Sequence, residues 1–433
     1  MKNNKLISAL FLLNLCITYL SAEVLLFSKA YELALENANE IKSSIYLAQS
    51  DEEKIKQEKA NLYPQINFSS YYKKSEYETN PLNTKTEQGL ISHTLSLSQS
   101  IYNAKTYSKI DAQRARSEYS KSIIKSEKEK LAQNLSNAYL DVLKSKNKIE
   151  LYKSYLAFAE SRLKEITKKY EMNLANKMDL LQREVDYNSA MIDLKREQQL
   201  SSLYHLKLNQ FVGSYQYELP IINFDKEILE IINLMRETVN HDNIALKIKQ
   251  AQIALEISQS DVKSAKDEHL PRLNFDASYS KYDTDDPNIE APYNNTKYFM
   301  FTLNLPIYSG GQVSSKVESA ELKYKAAQEE LSRVKKEVTL EHNEMTVYFE
   351  TSVKSVSMYR DALNSAKLYV ESVEQGYEHG LKSLLDLNDA KVKLNEVKYK
   401  YIENIYEVVN SYIGLLIATN NFEDIDLLDM LVQ

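Results

Sequence analysis

The sequence predicts a mainly α fold with a β-barrel portion, written twice along the chain. Three observations lead there. Glycine and proline number only seven each in 433 residues. Two proline-free stretches, between Pro81 and Pro220 and after Pro306, are free to form very long helices. And the two halves repeat each other: NLYPQINFSSYYK (61–73) answers EHLPRLNFDASYSK (268–281), and YEMNLANKMDLLQ answers YEHGLKSLLDLND. Pro64 and Pro271, Tyr170 and Tyr377, and Asp179 and Asp386 each lie 207 residues apart.

The first element is not part of the fold. Residues 1–22 carry Lys2 and Lys5, an apolar run from Leu6 to Leu20, and small residues at Ser21 and Ala22, the pattern of a cleaved secretory signal peptide. A lipoprotein box ending in Cys16 is the rival reading, but Asn14 and Leu15 stand where it needs small residues. Cleavage after Ala22 removes the only cysteine and leaves 52 basic against 61 acidic residues, a net charge of −9. Thiol chemistry is thereby excluded, and nucleic acid is disfavoured because no basic stripe supplies phosphate neutralisation. No later stretch approaches eighteen apolar residues, so any membrane passage must be made by strands.

The remainder divides into a first repeat (23–214), an inter-repeat linker (215–234), a second repeat (235–420) and a C-terminal tail (421–433). Each repeat orders its elements alike: a helix of thirty-odd residues, a strand pair around a polar loop, a helix of nearly seventy, a break, and a helix of about forty. The strands follow from alternation: Ile66, Phe68, Ser70 and Tyr72 oppose Asn67, Ser69 and Tyr71, while Phe299, Phe301, Leu303 and Leu305 oppose Met300, Thr302 and Asn304. Strands are expected near 64–74, 90–101, 271–282 and 297–307, with polar loops at 75–89 and 283–296. Gly310 and Gly311 fit a strand-to-helix turn, since no phosphate-loop pattern follows. The long helices keep heptad time. Leu135, Ala138, Val142, Ser145, Ile149, Tyr152, Leu156 continue one series; Phe349, Ser352, Val356, Tyr359, Leu363, Ala366, Val370, Val373, Tyr377 close another. A period of 3.5 implies left-handed coiled-coil packing.

Four strands of roughly ten residues match the length of tilted strands that cross a bilayer. One chain cannot close a barrel with four, because open edges in hydrocarbon leave backbone groups unpaired. Copies must pool strands. Two would give eight and three twelve, and the larger barrel is the one with room for a wide lumen.

AKDEHLPRLNFDASYS, LNLPIYSGGQVSSKVESA and the stretch SAKLYVESVEQGYEHGLKSLLDLNDAKVKLNEVKYKYIENIYEV together resemble the TolC family of outer-membrane exit ducts of Gram-negative bacteria. The resemblance covers essentially the whole mature chain. It implies a homotrimer with a twelve-stranded transmembrane β-barrel, four strands per chain, continued into the periplasm as a long α-helical coiled-coil barrel. It also implies outer-membrane lipid as surroundings, a periplasmic adaptor (membrane fusion) protein and an inner-membrane efflux or ABC transporter as partners, and a cargo of drugs, toxins or proteins. It implies no cofactor and no catalysis.

Asp386 and Asp389, spaced i and i+3, share a helix face. Read alone, they admit an acid/base pair, a metal site or ordinary solvated charge. No pocket is indicated for catalysis, and the six histidines form no HExxH-like spacing, His379 being the only one nearby. The resemblance supplies a fourth reading, a pore constriction: three copies bring six carboxylates around one axis. Such a ring selects cations, has some pKa values raised by crowding, and offers oxygen ligands to a plugging multivalent cation. The family's closing network resembles Tyr377, Lys382 and Asp179, with lysine where the family usually has arginine. Gln182 stands opposite Asp389 in the first repeat, so only one repeat carries the double carboxylate. The competing function class is a secreted structural coiled-coil protein with no channel.

Overall fold

The computed structural model describes residues 23–79, 84–213, 217–219, 228–238, 245–284 and 295–419. The signal segment with Cys16, the 421–433 tail, most of the linker and most of the 283–296 loop lie outside the described residues. The elements in order are β1 (Glu23–Val24), α1 (Phe27–Asn37), α2 (Asn39–Ala60), β2 (Gln65–Thr79), β3 (Thr84–Asn103), α3 (Ala104–Glu171), α4 (Lys177–Val212), β4 (Tyr217–Glu218), α5 (Ile228–Thr238), α6 (Leu246–Lys266), β5 (Arg272–Thr284), β6 (Asn295–Asn304), α7 (Gln312–Glu378) and α8 (Leu384–Ala418). No helix among the described residues is long and apolar enough to cross a membrane. The chain packs as two compact units, each drawing segments from both repeats.

The unit formed by Glu40–Glu127 and Ile244–Thr339 holds one antiparallel sheet in the order β2-β3-β5-β6. Its register places Phe68 opposite Leu95, Leu95 opposite Tyr279, Ala277 opposite Phe299 and Phe275 opposite Phe301. Directly paired residues project from the same face. One face therefore gathers Ile66, Phe68, Leu95, Leu97, Phe275, Phe299, Phe301 and Leu303. The other gathers Asn67, Ser69, Ser96, Thr94, Asp276, Ser278 and Thr302, with Thr94 bonded to Ser280 at 2.9 Å and Ser98 to Asp276 at 2.7 Å. The apolar face is bare: Phe68 is 69% exposed and Phe299 78%. Beside the sheet, Glu268 sits in a 3₁₀ turn (Asp267–His269) that ends α6. It is bonded by Lys105 at the start of α3 and, at 2.9 Å, by Lys316 in the second turn of α7.

Three details differ from the expected pattern. The first hairpin stays paired from Gln65↔Ser98 out to Thr79↔Thr84, so most of the expected 75–89 loop is strand. Lys74 and Glu87, on facing strands and 2.5 Å apart, support that extension across the pair. The fourth strand spans Asn295–Asn304 and stops before Pro306, which cannot donate to a ladder. The first thirty-odd-residue helix is broken at Ala38 (φ −71°, ψ 97°), between Asn37 and Asn39, whose type competes for backbone hydrogen bonds. Asn37 Nδ2 donates instead to Phe211 O at 3.3 Å. Its counterpart appears as α5 and α6, with residues 239–244 between them undescribed. Gly310 and Gly311, at φ +63° and +82°, make the expected strand-to-helix turn by conformation rather than for space, since nothing lies within 4 Å of a Cβ there.

The second unit (Met1–Asn39, Lys128–Asn243, Leu340–Gln433) is a helical layer. Ser145–Ser201 (3.0 Å) and Lys148–Glu197 (3.1 Å) join α3 to α4. Tyr155 to Glu396 (2.5 Å), Asn147 to Tyr406 (3.2 Å) and the Asn395–Ser154 bond join α3 to α8. Lys391–Glu374 (3.4 Å) and the Phe349–Tyr412 ring contact join α8 to α7. The order across the layer is α4-α3-α8-α7. The heptad positions form its seams: Leu135, Val142, Phe349, Val356, Leu363, Val370 and Val373 are all buried. So are Tyr401, Tyr406 and Tyr412 of α8, tyrosines used as packing.

Candidate functional site

The sites anticipated from sequence converge on the two turns that end the long helices. Both turns are built identically, 207 residues apart. In the first, Leu174 N–H donates to Lys169 O (2.7 Å) and Asn173 N–H to Tyr170 O (2.9 Å); in the second, Leu381 N–H donates to Gly376 O (2.7 Å) and Gly380 N–H to Tyr377 O (3.0 Å). Asn173 and Gly380 hold the left-handed position, φ +58° and +71°. The pattern is a Schellman-type close, which requires a residue tolerant of positive φ. Each return helix then starts on a polar cap, Asn176 for α4 and Ser383 for α8.

Asp179 and Asp386 occupy the same place in the two repeats, the third residue of the return helix. Asp179 N–H donates to Asn176 Oδ1 at 2.8 Å. At Asp386 the arrangement is a reciprocal capping box: its N–H donates to Ser383 Oγ (3.1 Å), while the Ser383 N–H and hydroxyl donate to its carboxylate at 2.9 and 2.8 Å. Those donors, with Lys382 nearby, lower the Asp386 pKa within a single chain, opposite in direction to the crowding expected of a ring. The serine three residues before the aspartate was the sequence signal for this cap.

Asp389 differs. It is exposed on the same face of α8 and accepts no hydrogen bond or ion pair among the described residues. Its neighbours Leu387 and Ala390 are buried against Val370 and Val373, so α7 and α8 seal their own end. The counterpart Gln182 donates to Asp186 at 2.9 Å.

Within one chain, Tyr377, Lys382 and Asp179 are not joined by any hydrogen bond or ion pair among the described residues. Lys382 lies over its own turn: its N–H donates to Gly376 O at 3.0 Å, and a Cβ on Gly376 would meet Lys382 Cγ at 2.8 Å. Tyr377 is 40% exposed. No cluster of metal-ligating side chains occurs among the described residues.

The fold and these turns have close parallels. A family model described as outer membrane efflux protein matches residues 30–214 and 244–421, one segment in each repeat. The chain is 22% identical over 412 residues to the outer membrane protein TolC of Vibrio cholerae, covering 93% of this chain and 92% of that protein. It is 20% identical to the alkaline protease secretion protein AprF of Pseudomonas aeruginosa, covering 89% and 84% of the two chains. The crystal structure of the Campylobacter jejuni CmeC outer membrane channel superposes with a TM-score of 0.75 at 16% identity, over 94% of this chain and 90% of that one.

Proposed function

The chain belongs to the outer membrane efflux protein family, and from that premise we propose that it is a trimeric exit duct whose periplasmic mouth is closed at the α3–α4 and α7–α8 turns. It is an outer-membrane protein, and its place is set by the sheet. One observation carries the reading: a four-stranded sheet with one apolar face, one polar face and two open edges, β2 and β6. Burying the apolar face in lipid and the polar face toward water accounts for both faces, and only pooling with further copies pairs both edges. Three copies give twelve strands, enough for a water-filled lumen.

At the turns, Asp389 supplies an uncommitted carboxylate and Asp386 one held ionised by its cap. Three copies would set six carboxylates about one axis, a ring that favours cations and can be plugged by a hard multivalent ion. Tyr377 and Lys382 of one copy with Asp179 of the next form the closing tie. A periplasmic adaptor and an inner-membrane transporter deliver the cargo, as the names of the efflux and secretion relatives suggest. The duct itself performs no catalysis.

The competing reading, a secreted coiled coil, leaves the bare phenylalanine rows in water, where a patch of that kind is unstable. Detergent-extracted protein run on a gel before and after heating decides between them. A heat-modifiable band of trimer mass is expected; a detergent-independent monomer would overturn the proposal.

A further inference from the structure

We propose that neighbouring copies meet in the helical layer along one specific seam, α7 of one copy against α4 of the next, antiparallel, with Leu181, Ile192 and Leu203 facing Tyr369, Met358 and Val347. The proposal rests on the trimer reading above and says which helices close the ring.

The order α4-α3-α8-α7 leaves α4 and α7 as the two outer helices, and each carries an apolar stripe with nothing on it. On α4, Leu181 (46% exposed), Val185 (61%), Ile192 (64%), Leu203 (46%) and Leu206 (66%) are separated by 4, 7, 11 and 3 residues. All of these steps are close to whole helical turns, so the residues form one line. On α7, Leu340 (59%), Val347 (63%), Met358 (72%) and Tyr369 (51%) are separated by 7, 11 and 11. That line is opposite the buried seam of Val338, Phe349, Val356 and Leu363, which sit half a turn away.

The two lines match. Leu181, Ile192 and Leu203 repeat at 11 and 11; Val347, Met358 and Tyr369 repeat at 11 and 11. Laid antiparallel, all three pairs coincide in a single register, over about 33 Å at 1.5 Å per residue. The positions between them on the same lines are uncharged: Asn188 and Gln199 on α4, Thr351, Ala362 and Ser365 on α7. Each helix could not satisfy its own stripe within the chain, since α3 and α8 lie between them.

The contact is heterologous, α7 to α4, so it closes a ring rather than a two-fold dimer. It runs from second repeat to first, as does the pairing of β6 with β2 that the sheet needs. The same register carries the start of α4, with Asp179, toward the last two turns of the neighbour's α7, where Tyr377 stands. The second copy thus contributes the residue that the gate lacks within one chain.

The test is disulfide formation in outer membranes, in a Cys16→Ser background. Ile192→Cys combined with Met358→Cys should give, on oxidation, covalent two- and three-chain species that reduction abolishes. Ile192→Cys or Met358→Cys alone should give none, and neither should Ile192→Cys with Val356→Cys, whose second position faces the core. A cross-link from either single variant would mean a two-fold contact and overturn the seam. So would an adduct with a different protein. The heat-modifiable band separates the two readings: trimer present without the cross-link sinks the seam alone, and trimer absent sinks the function proposal with it.

Discussion

Glu268 is 8% exposed and lies between two ammonium groups, and this makes its contribution calculable. Hydrogen bonds from Lys105 and Lys316 hold its pKa at about 2 against an ordinary 4.5. At 1.36 kcal/mol per pKa unit, the difference corresponds to roughly 3 kcal/mol per chain. The folded value is depressed, so this stability is fully present above pH 4.5 and is lost as pH falls toward 2. By pH 3 about two-thirds of it is gone by the same linkage. Glu268→Gln keeps the shape, removes the charge and leaves Lys105 and Lys316 facing each other without a counter-ion. The expected result is a variant whose trimer dissociates at markedly lower temperature than wild type at pH 7, with the gap narrowing to about a third at pH 3. Heat-modifiability on gels, or calorimetry in detergent at the two pH values, measures the gap. Equal dissociation temperatures at pH 7, or a gap of unchanged size at pH 3, would refute the reasoning that an ionised Glu268 anchors the starts of α3 and α7.

The two aspartates at the second turn should separate by role. In planar bilayers Asp389→Ala lowers cation preference with assembly intact, whereas Asp386→Ala lowers it and also frays the start of α8, seen as faster amide exchange over residues 384–388. The double variant stays trimeric and loses block by multivalent cations; wild-type selectivity and block in it would make both residues helix-surface charges. Replacing Tyr377 by Phe and Lys382 by Ala should raise single-channel conductance while cation preference stays, because a tie is lost and the acidic residues remain. Gly376→Ala should reproduce part of that rise, since its Cβ displaces the Lys382 stem, while thermal stability holds or increases because alanine is the better helix former by about 1 kcal/mol. Unchanged conductance in Gly376→Ala would mean that the position of Lys382 over its turn does not matter to the mouth.

Much of this molecule was legible in the chain because its information is periodic. Alternation at Phe68 and Phe299 and heptad spacing through Val142 and Val356 are properties of a strand or helix taken by itself. The duplication at an offset of 207 carried the second turn once the first was read. Pairing across elements is a different kind of information. Whether residues 75–79 and 84–89 were loop or ladder depended on a partner strand, and the polar sequence there reads equally as turn. The break at Ala38 depended on what Asn37 meets in α4. Asp386 looked like a partner of Asp389 because helical spacing puts them on one face; only the geometry of the turn revealed that Ser383 claims the first and leaves the second free. The order α4-α3-α8-α7, and with it the two uncovered stripes, was beyond sequence reading for the same reason: a heptad states that a helix has a partner, while side-chain packing among all four helices decides which partner it is.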